Sequence, residues 1–238
     1  MRVLVVSDIH ANRQALAAID ERCDACLFLG DAVDYGGHAP ACLAWLRRHA
    51  TASVRGNHDH AVAQRVSAVG GSRFRTLAAA TRPGHVASLD ADDFKFLARL
   101  PLTRRLTLGK ANYFLVHATP RDPLDEHLGP DPEAWTALVD QIEAADDALT
   151  VDYVLAGHTH LPYVLPVGRA TVVNPGSVGQ PRDGDPRVSY AVIEAGEIKI
   201  HRREYDVEGA IDDLRSAGVT GDVLDFAVAS LRNGKPPE

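Results

Sequence analysis

Sulfur is scarce in this sequence, and what is scarce narrows it first. There are only three cysteines in 238 residues. An odd number makes no disulfide framework. Cys23 and Cys26 have the spacing of a metal or redox pair, but no second pair accompanies them. They read as small core residues around a helix–strand junction. No apolar run approaches the ~18–20 residues that span a bilayer. Near the N-terminus, Arg2 precedes only the short aliphatic run Val3 to Val6, too little for the apolar region of a secretion signal. A cytoplasmic location is the expectation. Positive charge is not in excess either. The net charge of −7 argues against non-specific binding to nucleic acid or to an anionic membrane, so neither is expected as a partner. With no internal repeat, low-complexity segment or linker, a single domain over residues 1–238 is expected, with a core to about 205 and a helical tail over about 207–232.

What is present reads as a soluble α/β protein. Hydrophobic residues make up 45% and charged residues 24%, ordinary values for a globular chain long enough to bury a substantial core. Val3-Leu4-Val5-Val6, Ala25 to Leu29 and Ala52-Ser53-Val54 are short apolar strands. A helix over 13–22 capped by Asn12, and another over 39–49 with Pro40 near its start, fall between them. Strand, helix, strand, helix, strand is the pattern of a parallel sheet. Residues 60–100 look helical with loops, clearest from Asp90 to Arg99, and Pro101 stops the run. Hairpins are expected over 102–116, 164–173 and 187–204. A proline-rich loop covers 119–132, and a helix from Asp131 to Ala145 leads to a strand over 151–156. Two short helices break at Gly218, and 233–238 is expected to be disordered.

Several strands end on costly polar residues. Alternation puts Asp8 and His10 on one side of an extended backbone, so both can face one object. Gly30-Asp31, Gly56-Asn57-His58-Asp59, His117 and Gly157-His158-Thr159-His160 stand at similar ends, where sites form in parallel sheets. The candidate ligands are Asp8, His10, Asp31, Asn57, His117, His158 and His160. Imidazole, carboxylate and amide together suit first-row divalent ions better than Ca, which prefers all-oxygen cages. Seven such donors are too many for one transition metal and suit two sharing a carboxylate. A pair of ions ~3.5–4 Å apart lowers the pKa of water toward about 7 and neutralises a bound phosphate.

In order over residues 8–160, these blocks resemble the five signature blocks of the calcineurin-like metallophosphoesterase superfamily. The resemblance implies a four-layer α/β/β/α sandwich of two mixed sheets flanked by helices, with a di-metal centre at the strand ends. Asp8, His10, Asp31 and His160 would bind the first ion. Asp31 would bridge, and Asn57, His117 and His158 would complete the second. The ions would be divalent transition metals, Mn foremost, with Fe, Zn, Co or Ni also fitting the donors. His58 would assist the leaving group, with Asp59 orienting its ring. The implied activity is hydrolysis of a phosphodiester or nucleotide, by in-line attack of a hydroxide shared between the ions.

Arg55, beside Gly56, is a candidate phosphate clamp. It resembles the protein-phosphatase and dinucleoside-tetraphosphatase branches, but Tyr35 stands where those branches carry an Arg. Gly30-Asp31-Ala32-Val33-Asp34-Tyr35-Gly36 and the later Asn174-Pro175-Gly176-Ser177-Val178-Gly179 instead resemble a bacterial and archaeal subgroup. A phosphoprotein or dinucleoside-tetraphosphate substrate is the alternative, and a non-catalytic scaffold of the same fold is a further one. Arg182 could reach a substrate phosphate, or its loop could only buttress the histidine pair. Arg121, four residues after His117, is a weaker phosphate candidate and reads first as a solvated loop residue. His38, His60 and His127 read as surface or supporting residues, and Asp34 as a plain loop acid or the partner of a ligand histidine.

Overall fold

A computed structural model describes residues 1–68, 71–145 and 150–237. The first segment alternates as the apolar pattern predicts: β1 (Arg2–Val6), α1 (Arg13–Ala17), β2 (Ala25–Phe28), α2 (Ala39–His49) and β3 (Ala52–Ser53). Three helices follow, α3 (Asn57–Ala63), α4 (Arg73–Ser88) and α5 (Ala91–Arg99). Next come the hairpin of β4 (Thr103–Leu108) and β5 (Ala111–Val116), then α6 (Pro132–Ala144), β6 (Tyr153–Leu155), β7 (Tyr163–Val167) and β8 (Ala170–Asn174). β9 (Val188–Glu194), β10 (Glu197–Arg203), α7 (Val207–Ser216) and α8 (Gly221–Asn233) complete the order.

The strands form two mixed five-stranded sheets, ordered β10-β9-β1-β2-β3 and β4-β5-β6-β8-β7. β1, β2 and β3 are parallel neighbours, as are β5, β6 and β8. Side chains alternate across each sheet, which sorts the core into layers. Val3, Val5, Leu27 and Ala191 meet Leu115, Leu155 and Val173 between the sheets. On the outer face of the first sheet, Leu4, Val6, Cys26 and Phe28 pack on Leu16, Leu43 and Leu46 of the helices. On the outer face of the second, Phe114, Val154 and Val172 pack on Trp135, Leu138 and Ile142 of α6. This is the expected α/β/β/α sandwich.

Asn12 caps α1, accepting from the Ala15 N–H at 3.0 Å. The helix ends at Ala17, not at residue 22. Beyond it the chain must return to the sheet, where the Glu21 carboxylate accepts from Arg2, Tyr190 and Arg203. That anchor is unreachable from a continuing helix. Within 60–100 the helices are as expected, except that α3 begins inside the motif at Asn57; residues 69–70 lie outside the described residues. Cys26 is buried in β2, whereas Cys23 is exposed rather than a core residue.

The C-terminal helices lie against α4. Ala210, Ile211, Leu214, Phe226 and Leu231 pack with Leu77, Ala78 and Tyr35, and Arg13 clasps Asp213. The tail expected to be disordered from residue 233 is held further than that. Gly234 is left-handed (φ 62°) and its carbonyl accepts from the Gly184 N–H at 2.9 Å. Glu238 lies outside the described residues. Among those described, no helix is long and apolar enough to cross a membrane.

Leu155 is fully buried between the sheets, so its truncation leaves a cavity. Leu155→Ala is expected to cost about 2–5 kcal/mol in chemical denaturation, against under about 0.5 kcal/mol for the exposed Leu161→Ala.

Candidate metal centre

Both sheets contribute strand ends to one edge, and the backbone there turns sharply. Asp8, His10, Asp31, His158 and His160 all adopt positive φ, between 48° and 65°. Left-handed backbone at a non-glycine residue costs roughly 1–2 kcal/mol, and such strain gathers at functional sites. Two glycines let the loops close. A Cβ on Gly30 would stand 2.6 Å from the Gly56 nitrogen, and one on Gly56 would stand 2.0 Å from Asp31 Oδ1.

The backbone also fixes which nitrogen each histidine presents. Nδ1 of His10 donates to the Val33 carbonyl at 3.0 Å, and Nδ1 of His117 to the Leu29 carbonyl at 2.8 Å. Nδ1 of His160 donates to the Gln180 carbonyl. In these three Nε2 is left facing inward. His158 is reversed: its Nε2 donates to the Asp125 carbonyl at 3.2 Å, leaving Nδ1 inward.

The inward atoms crowd together. His10 Nε2 and His160 Nε2 are 3.2 Å apart, and Asp8 Oδ1 is 3.3 Å from His160 Nε2. His117 Nε2 lies 3.2 Å from each of Asp31 Oδ2, Asn57 Oδ1 and His158 Nδ1. Asp31 Oδ2 also reaches within 3.8 Å of His10 Nε2, placing it between the groups. Asp8 with His10 and His160, and Asp31 with His117 and His158, thus form two buried three-residue clusters whose donor atoms lie within 4.8 Å of one another. The Nε2 atoms of His10 and His160, both kept neutral by burial, face each other, and buried Asp8 Oδ1 has no hydrogen-bond partner. A divalent cation in each cluster resolves both conflicts, so the donor set fits two metal ions.

Charge and burial oppose each other here. Burial favours neutral carboxyls, yet the imidazoles of His160 and His117 hold Asp8 below its ordinary range, and His117 and His58 do the same for Asp31. Burial also works against a charged His117, but Asp31 and then Asp8 raise it to about 9. Burial pushes His10, His158 and His160 down, aided by His160 at His10, by His117 and His127 at His158, and by Arg182 at His160.

His58 stands at the start of α3 and lines a cleft of about 640 Å³ above the clusters. Its ring is not oriented by Asp59. The Asp59 carboxylate turns inward and accepts from the N–H groups of Asp31, Ala32 and Gly56, so it braces two loops and is not a candidate catalytic group. Asp34 holds the ring instead, its Oδ2 accepting from His58 Nδ1 at 2.7 Å. Asp34 in turn accepts from the buried Arg82 guanidinium, with Nε at 3.0 Å. Its own N–H donates to His85 Nδ1 at 3.1 Å.

Arg55 does not face the cleft. It is absent from the cleft lining, and its Nη1 donates to the Ala98 carbonyl at the end of α5 at 3.3 Å. It is therefore corrected from a substrate clamp to a loop–helix tie. Arg121 pairs with Glu126 at the surface. Arg182 does line the cleft, with Tyr35, Phe74, Arg82 and His127. The loop that leads to Arg182 buttresses the site. Asn174 Nδ2 donates to the Gly157 carbonyl at 2.7 Å and Ser177 Oγ to the Asp8 carbonyl at 2.8 Å, bracing the metal-facing turns. His127 Nδ1 lies 3.1 Å from His158 Nε2 and supports that ring. Arg82 was missed in the sequence: it lies 48 residues from Asp34 inside an ordinary helix, and no local pattern marks it.

A two-sheet sandwich that gathers two adjacent Asp/His clusters at its strand ends is a metallophosphoesterase fold with a candidate dinuclear centre. The chain belongs to the calcineurin-like phosphoesterase superfamily, whose domain matches residues 1–197. It is 32% identical to a metallophosphoesterase from Sphaerobacter thermophilus, with a TM-score of 0.77 over 98% of this chain and 99% of that one. A hypothetical protein from Pyrococcus horikoshii OT3 shares the fold at 18% identity, with a TM-score of 0.80 over 99% of both chains. An uncharacterised protein of Methanocaldococcus jannaschii is 29% identical over 89% of this chain and 91% of its own length.

The depressed histidines set an expected pH dependence for protein stripped of metal. His158 titrates at about 3 in the fold against 6.5 when unperturbed. Between those values the unfolded chain binds a proton that the folded chain does not, so this contribution is present above pH 6.5 and lost as pH falls. His10 and His160 shift in the same direction and add to it. Melting of chelator-treated protein is expected to fall steadily over that window, and adding a divalent cation at neutral pH is expected to raise it; calorimetry reads both.

Proposed function

We propose that this protein is a phosphoric ester hydrolase that uses two divalent transition-metal ions, Mn foremost, on a phosphodiester or nucleotide substrate. The carrying observation is the convergence of inward-facing histidine nitrogens and carboxylates, with tautomers fixed by backbone carbonyls, beside Asp31. Asp8, His10, Asp31 and His160 would hold one ion, and Asp31, Asn57, His117 and His158 the other. Ions so held supply Lewis acidity, lowering the pKa of water and neutralising phosphate charge.

The chain's own residues supply the rest of the reaction. Burial lowers the His58 pKa, but Asp31 and Asp34 more than offset it, so the ring is held toward its protonated form. With Nδ1 committed to Asp34, Nε2–H is the proton available to a departing alkoxide. Arg182 offers a guanidinium edge to non-bridging phosphate oxygens. The cleft volume of about 640 Å³ suits a small organic phosphate or a nucleotide. With Arg55 tied to α5, the feature that favoured a phosphoprotein or dinucleoside tetraphosphate is no longer at the site. We assign residues 1–238 to one cytoplasmic catalytic domain.

Hydrolysis of bis-p-nitrophenyl phosphate with added Mn is expected, lost on chelation and on Asp31→Ala. Turnover that survives either treatment sinks the two-ion reading. His58→Ala is expected to slow alkyl phosphates by about 10²–10⁴-fold and activated aryl phosphates much less. Equal losses on both would count against the proton-donor role.

A further inference from the structure

Arg182 is held from two sides, its guanidinium by a ring of α4 and its loop by the residue that follows α8. Its guanidinium carbon lies 3.9 Å from the centroid of the Phe74 ring in α4. Phe74 in turn meets Phe226 of α8 edge to face, with centroids 5.0 Å apart at 72°. Arg73 lies over the Phe226 ring at 5.3 Å, closing a stack that runs from α8 to the cleft. The second hold is on the loop. Gly184, two residues after Arg182, donates its N–H to the Gly234 carbonyl at 2.9 Å, just past the end of α8. A Cβ on Gly234 would stand 2.3 Å from the Asp185 carbonyl carbon, so only glycine permits this approach.

The guanidinium is left with free donors. Nη2 donates to Gln180 Oε1 at 3.2 Å, while Nε is buried with no partner. Stacking on an aromatic face fixes the guanidinium plane and leaves its edge for hydrogen bonds.

We propose that α8, which lies beyond the residues matched by the family domain, sets the pose of Arg182 toward a substrate phosphate, acting through Phe226 and Phe74 on the guanidinium and through Gly234 on its loop. Phe74 and Phe226 are positioning residues, and the inference rests on the reading of Arg182 as a phosphate clamp. It gives the C-terminal helices a part in substrate affinity.

The test is a mutant cycle in the full-length, Mn-loaded protein. Its readouts are the Kd of inorganic phosphate by calorimetry and KM for bis-p-nitrophenyl phosphate. Arg182→Gln is expected to weaken both by about 10–100-fold, as for loss of a hydrogen bond to a charged group. Phe74→Leu, with Arg182 intact, is expected to weaken both by about 3–10-fold, and Phe74→Tyr, which keeps the ring, to retain parental values. Phe226→Leu is expected to shift both in the same direction, less far. The proposal has Phe74 act through Arg182, so the double variant Arg182→Gln/Phe74→Leu is expected to bind no more weakly than Arg182→Gln alone. Losses that multiply in the double variant, or a Phe74→Leu protein with parental affinity, overturn the tie and leave the Arg182 reading standing. Parental affinity in Arg182→Gln overturns that reading itself. Phe74 is only partly buried, so Phe74→Leu carries the test even if Phe226→Leu fails to fold.

Discussion

The carboxylate of Asp31 is the constraint on which the rest of the site depends. It is 1% exposed, and burial alone would drive it neutral. It stays charged because imidazoles and backbone donors surround it. His117 Nε2 approaches Oδ2, and the His58 N–H donates to Oδ1 at 2.9 Å. That second contact places the start of α3, and with it Asn57 and His58, against the first sheet. Gly56 must be glycine because Asp31 Oδ1 occupies the space a side chain would need. One buried charge thus dictates a glycine, a helix start and the position of a candidate proton donor.

A site made of strand ends has few side chains to spare for orienting one another, and the backbone takes that task. Carbonyls of Leu29, Val33, Asp125 and Gln180 each accept from one metal-facing histidine. These carbonyls belong to loops that the sheets already hold, so the imidazoles are aimed before any ion arrives. Asp59 contributes in a similar way. By gathering three N–H groups from two loops, it satisfies buried donors that would otherwise each cost about 1–3 kcal/mol.

Most of the framework was legible in the sequence, because short apolar strands ending on Asp, Asn and His carry both period and punctuation. β1 and β2, the hairpins and α6 follow from those signals, and so does the set of clustered donors, whereas the pairing of two sheets was implied only by the family resemblance. The failures have a common form. Helix α1 stops at Ala17 because Glu21 is needed at the sheet surface, a tertiary demand that helical spacing does not contain. Adjacency in sequence suggested Asp59 for His58 and Arg55 for the phosphate. Both neighbours point elsewhere: Asp34 holds the His58 ring, and the arginine that lines the cleft is Arg182 on a distant loop. Arg82 lies beyond any local signal, since only the packing of α4 brings it to Asp34.

Tyr35 shows how these two scales meet. Where the protein-phosphatase branch carries an Arg, this chain has an aromatic ring 4.3 Å from the His10 ring and 4.6 Å from the His58 ring. An Arg there would bring a charge needing solvent or an anion. Tyr35, 7% exposed, instead joins the apolar cluster of α4, α7 and α8. A cation still stands at the cleft: the Arg182 guanidinium lies 6.0 Å from the Tyr35 centroid and closer still to Phe74. A guanidinium seated on aromatic rings depends on whatever supports those rings, here the C-terminal helices. The strand ends therefore carry the clustered donors, while the cation at the cleft rim leans on rings supported by helices that lie beyond the matched domain.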